Sequence, residues 1–299
     1  MEDIMRKIAF LVVGLATLLA TLACSFNFLP LRTSISVEKL ETGPTISKDV
    51  EIPVPDSDEE TTLEILMGAG ELTINPGAGD ALLQGMIRYN VEEFEPHVIS
   101  EDGYVQLRQG EGESGEYTFP DISGDVENTW DLQLGNTAME LILTVGASRS
   151  EIDLGGLAIS GLRITQGASD FELAFSEPNQ IEMSTLRFTG GASDAELNEL
   201  ANANAREISF TGGVGRYTLD FSGELQNKLY VKIEAGLGEV IIIVPQGIAA
   251  EAEFDGALAD VDAYDDWRRS GDTYTLEGTG ASITFEISMG LGSLELRNW

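Results

Sequence analysis

The sequence predicts an all-β protein, built as a single-file β-solenoid in which similar, β-helix-like rungs stack on one another. Three observations predict this class. After Leu63, apolar and polar residues alternate in short segments, which is the period of half-buried strands. Glycine accounts for 33 of the 299 residues, a share above the usual ~7%. Short glycine triplets also recur at a nearly constant spacing, as they do in repeat proteins.

Each triplet reads Gly, then a small or apolar residue, then Gly or Ser. From residue 146 to residue 236, successive triplets start 21, 24, 22 and 23 residues apart, which indicates a period of about 21–24 residues. Glycine suits a corner, because the chain turns there while neighbouring rungs approach to about 4.8 Å. The middle residue is expected to fill the corner of the core. The triplets start at Gly68, Gly146, Gly167, Gly191, Gly213, Gly236, Gly280 and Gly290.

The N-terminal segment has the layout of a secretory signal. An uncharged apolar run, Ile8–Ala23, follows Arg6 and Lys7 and is too short for a comfortable membrane span of about 20 residues. Small residues precede Cys24, the only cysteine, and this arrangement resembles a bacterial lipobox. Residues 1–23 are therefore the predicted lipoprotein signal peptide, and Cys24 is the predicted acylated residue. The alternative is plain secretory cleavage beside an incidental cysteine, and a start at Met5 would give a cleaner signal.

Residues 24–60 are predicted to be the acylated cysteine and a tether. This segment carries several prolines and an acidic run at residues 56–60, and such a composition is typical of linkers. The alternative is that residues 34–37 or 50–54 add an edge strand.

Residues 136–299 are long enough for roughly seven rungs of this period. Val240–Val244 lacks alternation, so we expect it to be buried on both faces or covered by a loop. Between residues 194 and 206 we expect a strand at Ala195–Leu197, followed by a loop or short helix. The last rung is expected to end the stack and to be shielded by Trp299, by Arg297 or by a loop folded back. Alternatively, its open edge could accept a partner strand.

The N-terminal half contains three notable segments, Glu64–Leu72, Tyr89–Val91 with Pro96, and Asn128–Leu132. These segments resemble the leading domain of the toast-rack family of bacterial envelope proteins. The triplets from residue 146 onward resemble that family's repeat region and the related adhesin and cell-wall stress-response domains.

The resemblance implies an N-terminal toast-rack domain at residues 61–135 and a β-solenoid repeat domain at residues 136–299. It also implies a protein tied to a membrane and associated with envelope sensing or adhesion. The shared motifs are structural glycines and strand residues, so the resemblance supplies no catalytic motif and no cofactor.

Charge and rare residues exclude several classes of protein. With 51 acidic and 17 basic residues, the formal charge is −34, which disfavours nucleic acid as a partner. One cysteine and one histidine allow neither an internal disulfide nor a Cys/His zinc cluster. Only His97 could serve a catalytic triad, and we expect it to be an ordinary, half-exposed strand residue.

The segment Asp260–Gly271 is the candidate binding loop. Its alternating aspartates could hold calcium, but the EF-hand glycine and distal glutamate are missing, and no metal site is predicted. Its two aromatic residues could stack on sugar rings or anchor a protein partner. The alternative is a solvated cap with Trp267 packed against the core. The candidate residues are Asp260, Asp262, Tyr264, Asp265, Asp266 and Trp267.

The sequence thus favours a lipid-anchored, extracytoplasmic envelope protein that serves as a structural, adhesion or sensing module, without catalysis and without a cofactor. The expected partners are the membrane, through the lipid, and an envelope protein or cell-surface glycan. One alternative is a carbohydrate-active β-solenoid enzyme, which would use paired carboxylates. Among 51 acidic residues, pairs such as Glu92–Glu93 or Asp265–Asp266 carry almost no specificity for that chemistry. Another alternative is a calcium-dependent adhesin.

Overall fold

The computed structural model describes residues 39–110, 121–123 and 125–299, so the predicted signal peptide, Cys24 and residues 34–37 lie outside the described residues. Lys39–Trp299 form one compact unit. The described ranges contain strands and two short 3-10 turns, Glu92–Phe94 and Leu200–Ala203, but no α-helix, which confirms the all-β class. None of their helical segments combines the length and the hydropathy that a bilayer crossing requires.

The strands are β1 Lys39–Glu41, β2 Ile46–Pro53, β3 Thr61–Pro76, β4 Ala81–Tyr89, β5 Pro96–Glu101, β6 Tyr104–Gln109, β7 Asp121–Ser123, β8 Asn128–Leu134, β9 Met139–Asp153, β10 Ile159–Ala174, β11 Met183–Asn198, β12 Ala205–Asp220, β13 Leu229–Val244, β14 Ala249–Ala263, β15 Arg268–Ser270, β16 Thr273–Leu276 and β17 Ser282–Asn298.

Fifteen of these strands form a single open sheet. Its order is β15-β16-β14-β17-β13-β12-β11-β10-β9-β3-β8-β4-β2, with β6 beside β3 and β5 beside β6. β1 and β7 pair separately, in parallel. The long strands from β9 to β14, together with β17, pair in parallel and in register. One row of apolar residues runs across five of them and consists of Leu141, Leu162, Leu186, Ile208 and Val231.

β12 bends within its length, and the burial of the other long strands changes phase at the corresponding position. In β12 the rings of Phe210 and Tyr217 have centroids 5.1 Å apart, although seven extended residues would span roughly 23 Å. In β10 the buried positions shift from Leu162 and Ile164 before the triplet to Phe171 and Leu173 after it. The half before the bend, called here the first arm, therefore faces the half after it, the second arm, across a shared core.

The middle residues of the triplets do not fill the core, so that expectation is wrong. Val214, Leu237 and Leu291 are exposed and lie side by side. The change of phase at the bend turns two successive residues towards solvent. The third residue faces inward instead, as Ser169 and Ser193 do, and both of these hydroxyls hydrogen-bond Gln166.

The last strand in the chain is not the last in the sheet. β17 lies between β13 and β14, and Phe285 aligns with Val231 on one side and Ala252 on the other. The expectation that the C-terminal rung ends the stack is therefore wrong. The triplet at Gly280 belongs to the loop before β17 rather than to a bend. β14, whose burial changes phase without a Gly-x-Gly/Ser triplet, is the outermost long strand.

The predicted tether is wrong for residues 46–53, which form the edge strand β2. This strand pairs antiparallel with β4, and Val50 lies opposite Gly85. Val50 and Ile52 alternate with polar residues and are buried. The segment forms a strand rather than a tether because two apolar side chains at alternate positions gain free energy when they are buried against the core. The alternative of an edge strand near residues 50–54 is therefore the one observed.

Both arms of β3 are covered at the N-terminal end of the stack. Ile65 in the first arm aligns with Leu107 of β6, and Leu72 in the second arm aligns with Trp130 of β8. The Trp130 indole donates to Asn128 Oδ1 over 2.9 Å, so its buried N–H is satisfied. This end of the stack therefore presents neither arm of β3 as an open edge.

Two further segments adopt the structure expected for them. In Val240–Val244 four of the five residues are buried and Ile243 is half-buried. Ala195–Leu197 belongs to β11, and the 3-10 turn Leu200–Ala203 follows.

Candidate functional site

The candidate loop begins within β14 and continues into a tight turn. Asp260 and Asp262 lie in the second arm of β14, and residues 264–267 form the turn beyond it. The Tyr264 N–H donates to Leu296 O over 2.9 Å and holds the end of the arm against β17. Asp265 has a φ of +63°, a left-handed conformation that aspartate tolerates better than most residues.

The two aromatic residues of the loop are in different environments. Trp267 is only 7% exposed and packs against the core, whereas Tyr264 is 45% exposed. The solvated cap with a buried tryptophan is therefore the arrangement present. The Trp267 Nε1–H has no acceptor within the described part of the chain, and such an orphaned buried donor is uncommon in folded proteins.

The four aspartates of the loop do not converge. Asp260 and Asp262 are exposed on the arm, and Asp265 and Asp266 are exposed in the turn. The Asp266 N–H donates to Asn298 Oδ1 over 3.0 Å, and Asn298 Nδ2 donates to Asp266 Oδ2 over 3.4 Å. No group of three or more His, Cys, Asp or Glu side chains in the described ranges is placed to hold a metal ion. The geometry therefore gives the calcium alternative no support.

The hairpin that follows the loop covers only the first arm of β14. β16 pairs antiparallel with that arm, and Ala252 aligns with Tyr274. The two arginines of the hairpin are engaged locally. Arg268 lies 3.3 Å from Glu277, and Arg269 lies over the Tyr274 ring at 5.4 Å. No described strand pairs with the second arm on its outer side.

An exposed feature not predicted from the sequence is an apolar ridge formed by Val214, Leu237, Leu291 and Leu258. These residues lie in register on four strands that are neighbours in the sheet, β12, β13, β17 and β14. All four are exposed, and Leu258 is the most exposed large apolar residue described, at 73%. The signal was present in the sequence, because three of them are the middle residues of triplets. The sequence-based expectation was that these middle residues fill the corner of the core, whereas they are exposed.

The remaining catalytic candidates are scattered. His97 is half-buried in β5, where it lies opposite Arg108 in β6. Glu92 and Glu93 form part of an exposed 3-10 turn. Burial, with the carboxylates of Asp153 and Asp220, raises the pKa of Glu199. Sequence analysis did not single out Glu199.

A shallow groove runs beside the bends of β9 to β12. It is lined by small and acidic side chains, including Ala168, Asp170, Ala192 and Asp194. Side chains of this kind favour a hydrated groove, and they offer little apolar surface with which to enclose a ligand.

The family signature described as the N-terminal domain of toast_rack, DUF2154, matches residues 38–185 and 178–243. No curated protein shows significant similarity to the chain. Solved structures that align with it include the "putative cell adhesion protein" of Clostridium sporogenes, at 19% identity and a TM-score of 0.48, over 86% of this chain and 100% of that one. A "putative adhesin" of Bacteroides fragilis aligns at 13% identity and a TM-score of 0.40, over 86% of this chain and 99% of that one.

The two matched segments together extend from residue 38 to residue 243, which is more than half of the chain. They include the strands from β1 to β12 and all of β13 except its last residue, Val244. The chain therefore belongs to the toast-rack family.

Proposed function

We propose that this protein is a lipid-anchored, extracytoplasmic envelope module that recognises other envelope components without catalysing a reaction. One observation carries the proposal. Cys24, in its lipobox-like context, lies shortly before residue 38, where the match to the toast-rack family begins. An acyl anchor at Cys24 would hold the stack close to a membrane by its N-terminal end, and a diacylglycerol with an N-acyl chain is enough for stable anchoring.

We infer further that the strand stack is a single-file solenoid with the glycine triplets at its corners. Paired residues in successive strands differ by 21, 24, 22 and 23 positions, as from Leu141 to Leu162, Leu186, Ile208 and Val231. Rings of the two arms also meet across the core, as Phe171 and Phe188 do at 5.5 Å. A rung of two facing arms with a bend between them accounts for both facts.

The proposed partners are an envelope protein or a cell-surface glycan. The exposed Tyr264 and the apolar ridge are the kinds of side chain that anchor such contacts. A formal charge of −34 opposes binding to nucleic acid.

The test is the variant Cys24→Ser, examined in cells and after purification. In cells we expect the variant to leave the membrane fraction after signal cleavage, because it cannot be acylated. Purified, it should still be retained saturably on fractionated native envelope, and calcium should not change that retention. Both readouts are measured by fractionation and quantitative immunodetection.

Ser25→Ala is the matched control and should remain with membranes. A Cys24→Ser variant that has lost residues 1–23 and still fractionates with membranes would contradict the anchor. Absence of retention on every envelope fraction would contradict the recognition role, and retention only with calcium would indicate the calcium-dependent adhesin instead.

A further inference from the structure

The end strands of the stack differ in how completely other strands pair with them. At the N-terminal end, both arms of β3 are paired, with β6 and with β8. At the C-terminal end, β16 pairs with the first arm of β14 over residues 250–253, and no described strand pairs with the second arm on its outer side. Gly256–Ala263 is therefore an open strand edge, a template on which another chain can pair.

The hydrogen bond at the C-terminal end of β14 shows which backbone groups of the second arm face outward. The Tyr264 N–H bonds to Leu296 O of β17, so the inward-facing groups of the second arm belong to Asp260 and Asp262. Because these groups alternate along a strand, the N–H and C=O groups that face outward belong to Ala259, Val261 and Ala263.

We propose that this open arm accepts an extended, basic segment of a partner protein as an additional β-strand. This inference names a class of partner for the recognition function proposed above, and it rests on that function. Backbone pairing would supply affinity, and the alternating side chains of the added strand would supply specificity.

Charge complementarity identifies the occupant as basic. Asp260 and Asp262 project from the solvent face of the arm, and no ion pair or hydrogen bond in the described part of the chain engages either carboxylate. Side chains on one face of adjacent strands lie about 4.5–5.5 Å apart, and opposite charges there attract. Lysine or arginine at alternate positions of the added strand would therefore face these aspartates.

The same carboxylates disfavour a second copy of this chain as the occupant. Pairing the arm with its own counterpart would place aspartates beside aspartates. Another free edge of the sheet, β2, exposes Asp49 and Glu51, so stacking of the arm on β2 would also bring like charges together. The arginines of the edge strand β15 are already engaged, Arg268 by Glu277 and Arg269 by the Tyr274 ring.

The inner face of the arm is apolar and incompletely covered. Ala259 and Val261 are only partly buried against the core, and the exposed Leu258 ends the apolar ridge. Apolar residues on the inner face of an added strand would extend the core there. Trp267, at the turn beyond the arm, supplies a buried indole N–H that lacks an acceptor in the described residues.

The test uses the full chain and a fluorescein-labelled peptide, Val-Lys-Val-Lys-Val-Lys, in an anisotropy titration. We expect this peptide to bind. The peptide Lys-Lys-Lys-Val-Val-Val has the same composition without alternation, and Val-Glu-Val-Glu-Val-Glu has the opposite charge. Both should bind at least tenfold more weakly.

Two sets of variants separate the open edge from general charge attraction. Asp260→Lys/Asp262→Lys should weaken binding of the basic peptide at least tenfold and allow the acidic peptide to bind. Glu172→Lys/Glu196→Lys makes the same change in net charge at paired, exposed positions within the stack and should change binding less than threefold. Val261→Pro removes an outward N–H without breaking a bond to β17 and should also weaken binding at least tenfold.

Amide hydrogen exchange on the unmodified chain keeps the test decisive if a variant does not fold. Bound peptide should slow exchange at Ala259, Val261 and Ala263 and leave Asp260 and Asp262 unchanged. Protection of those three amides in the free chain, or equal losses in the two lysine pairs, would overturn the proposal. If the peptide fails to bind while the chain is still retained on native envelope, this site is wrong and the proposed function stands.

Discussion

At the scale of single residues, Tyr104 shows how packing changes chemistry that the sequence leaves ordinary. Its hydroxyl donates to Glu64 of β3, and Gln106 Nε2 donates to the same carboxylate at 2.8 Å. Burial, together with the hydrogen bond to the Glu64 carboxylate, raises the pKa of Tyr104 to about 12. Sequence analysis could not anticipate this, because Glu64 and Tyr104 meet only through the pairing of β3 with β6.

This raised pKa predicts a loss of stability at alkaline pH. An unfolded tyrosine has a pKa of about 10, so between pH 10 and about 12 the unfolded chain loses a proton that folded Tyr104 keeps. Stability should therefore be fully present below pH 10 and fall as pH rises through this window. Denaturant unfolding across that range should show a smaller fall for Tyr104→Phe than for the unmodified chain.

Tyr264→Phe is the control, because Tyr264 is exposed, and its fall should match that of the unmodified chain. Burial raises the pKa of Tyr217, and the hydrogen bond to Glu286 raises the pKa of Tyr230. Some alkaline sensitivity should therefore remain in Tyr104→Phe. An unchanged slope in Tyr104→Phe would contradict the prediction.

At the scale of the strand, the bends are made in two ways. Gly-Ala-Ser triplets turn a serine inward, where Ser193 and Ser169 share Gln166. Gly-x-Gly triplets place the third glycine against the backbone of a neighbouring strand. Gly238 has a φ of +134°, and a Cβ on it would lie 1.8 Å from Gly215 O. The sequence predicts a glycine requirement at the bends, and the structure shows that backbone contact, as well as φ, imposes it.

We expect Gly238→Ala to destabilise the protein by about 2–4 kcal/mol, since it adds a clash to an unfavourable φ. Gly271→Ala is the matched control. Gly271 also has a positive φ, +67°, but a Cβ there would have nothing within 4 Å, so it should cost only about 1–2 kcal/mol. Urea unfolding measures both values. Equal losses would mean that the close approach to Gly215 O contributes nothing.

At the scale of the whole molecule, the order of the last strands follows side-chain volume rather than chain order. The buried inward residues of β17 include Phe285 and Leu294, and Phe285 meets Phe221 with ring centroids 5.0 Å apart. The aligned residue of β14 is Ala252. Because burial of larger apolar side chains gains more free energy, β17 takes the interior position and β14 the end.

Deleting residues 277–299 should therefore disrupt the C-terminal part of the stack, because β13 and β14 lose the strand that joins them. We expect faster amide exchange in β12 and β13, together with self-association, measured by exchange mass spectrometry and sedimentation. Trp299→Ala is the control, because Trp299 is 72% exposed, and it should change stability by less than about 0.5 kcal/mol. A truncated chain with unchanged exchange would contradict this view of the stack.

The sequence by itself determined the all-β class and the family. Both depend on local patterns, namely period-two alternation and recurrent glycine triplets, which a chain carries whatever its tertiary packing. It also singled out Asp260–Gly271, although it could not separate the buried Trp267 from the exposed Tyr264.

Only the tertiary structure decided the position of β17, the exposure of Leu237 and its neighbours in the ridge, the edge strand at residues 46–53 and the open arm of β14. Each depends on which distant strands compete for the same core. Alternation shows that a residue faces one side of a strand, whereas the neighbours that cover that side are set by the packing of the whole sheet.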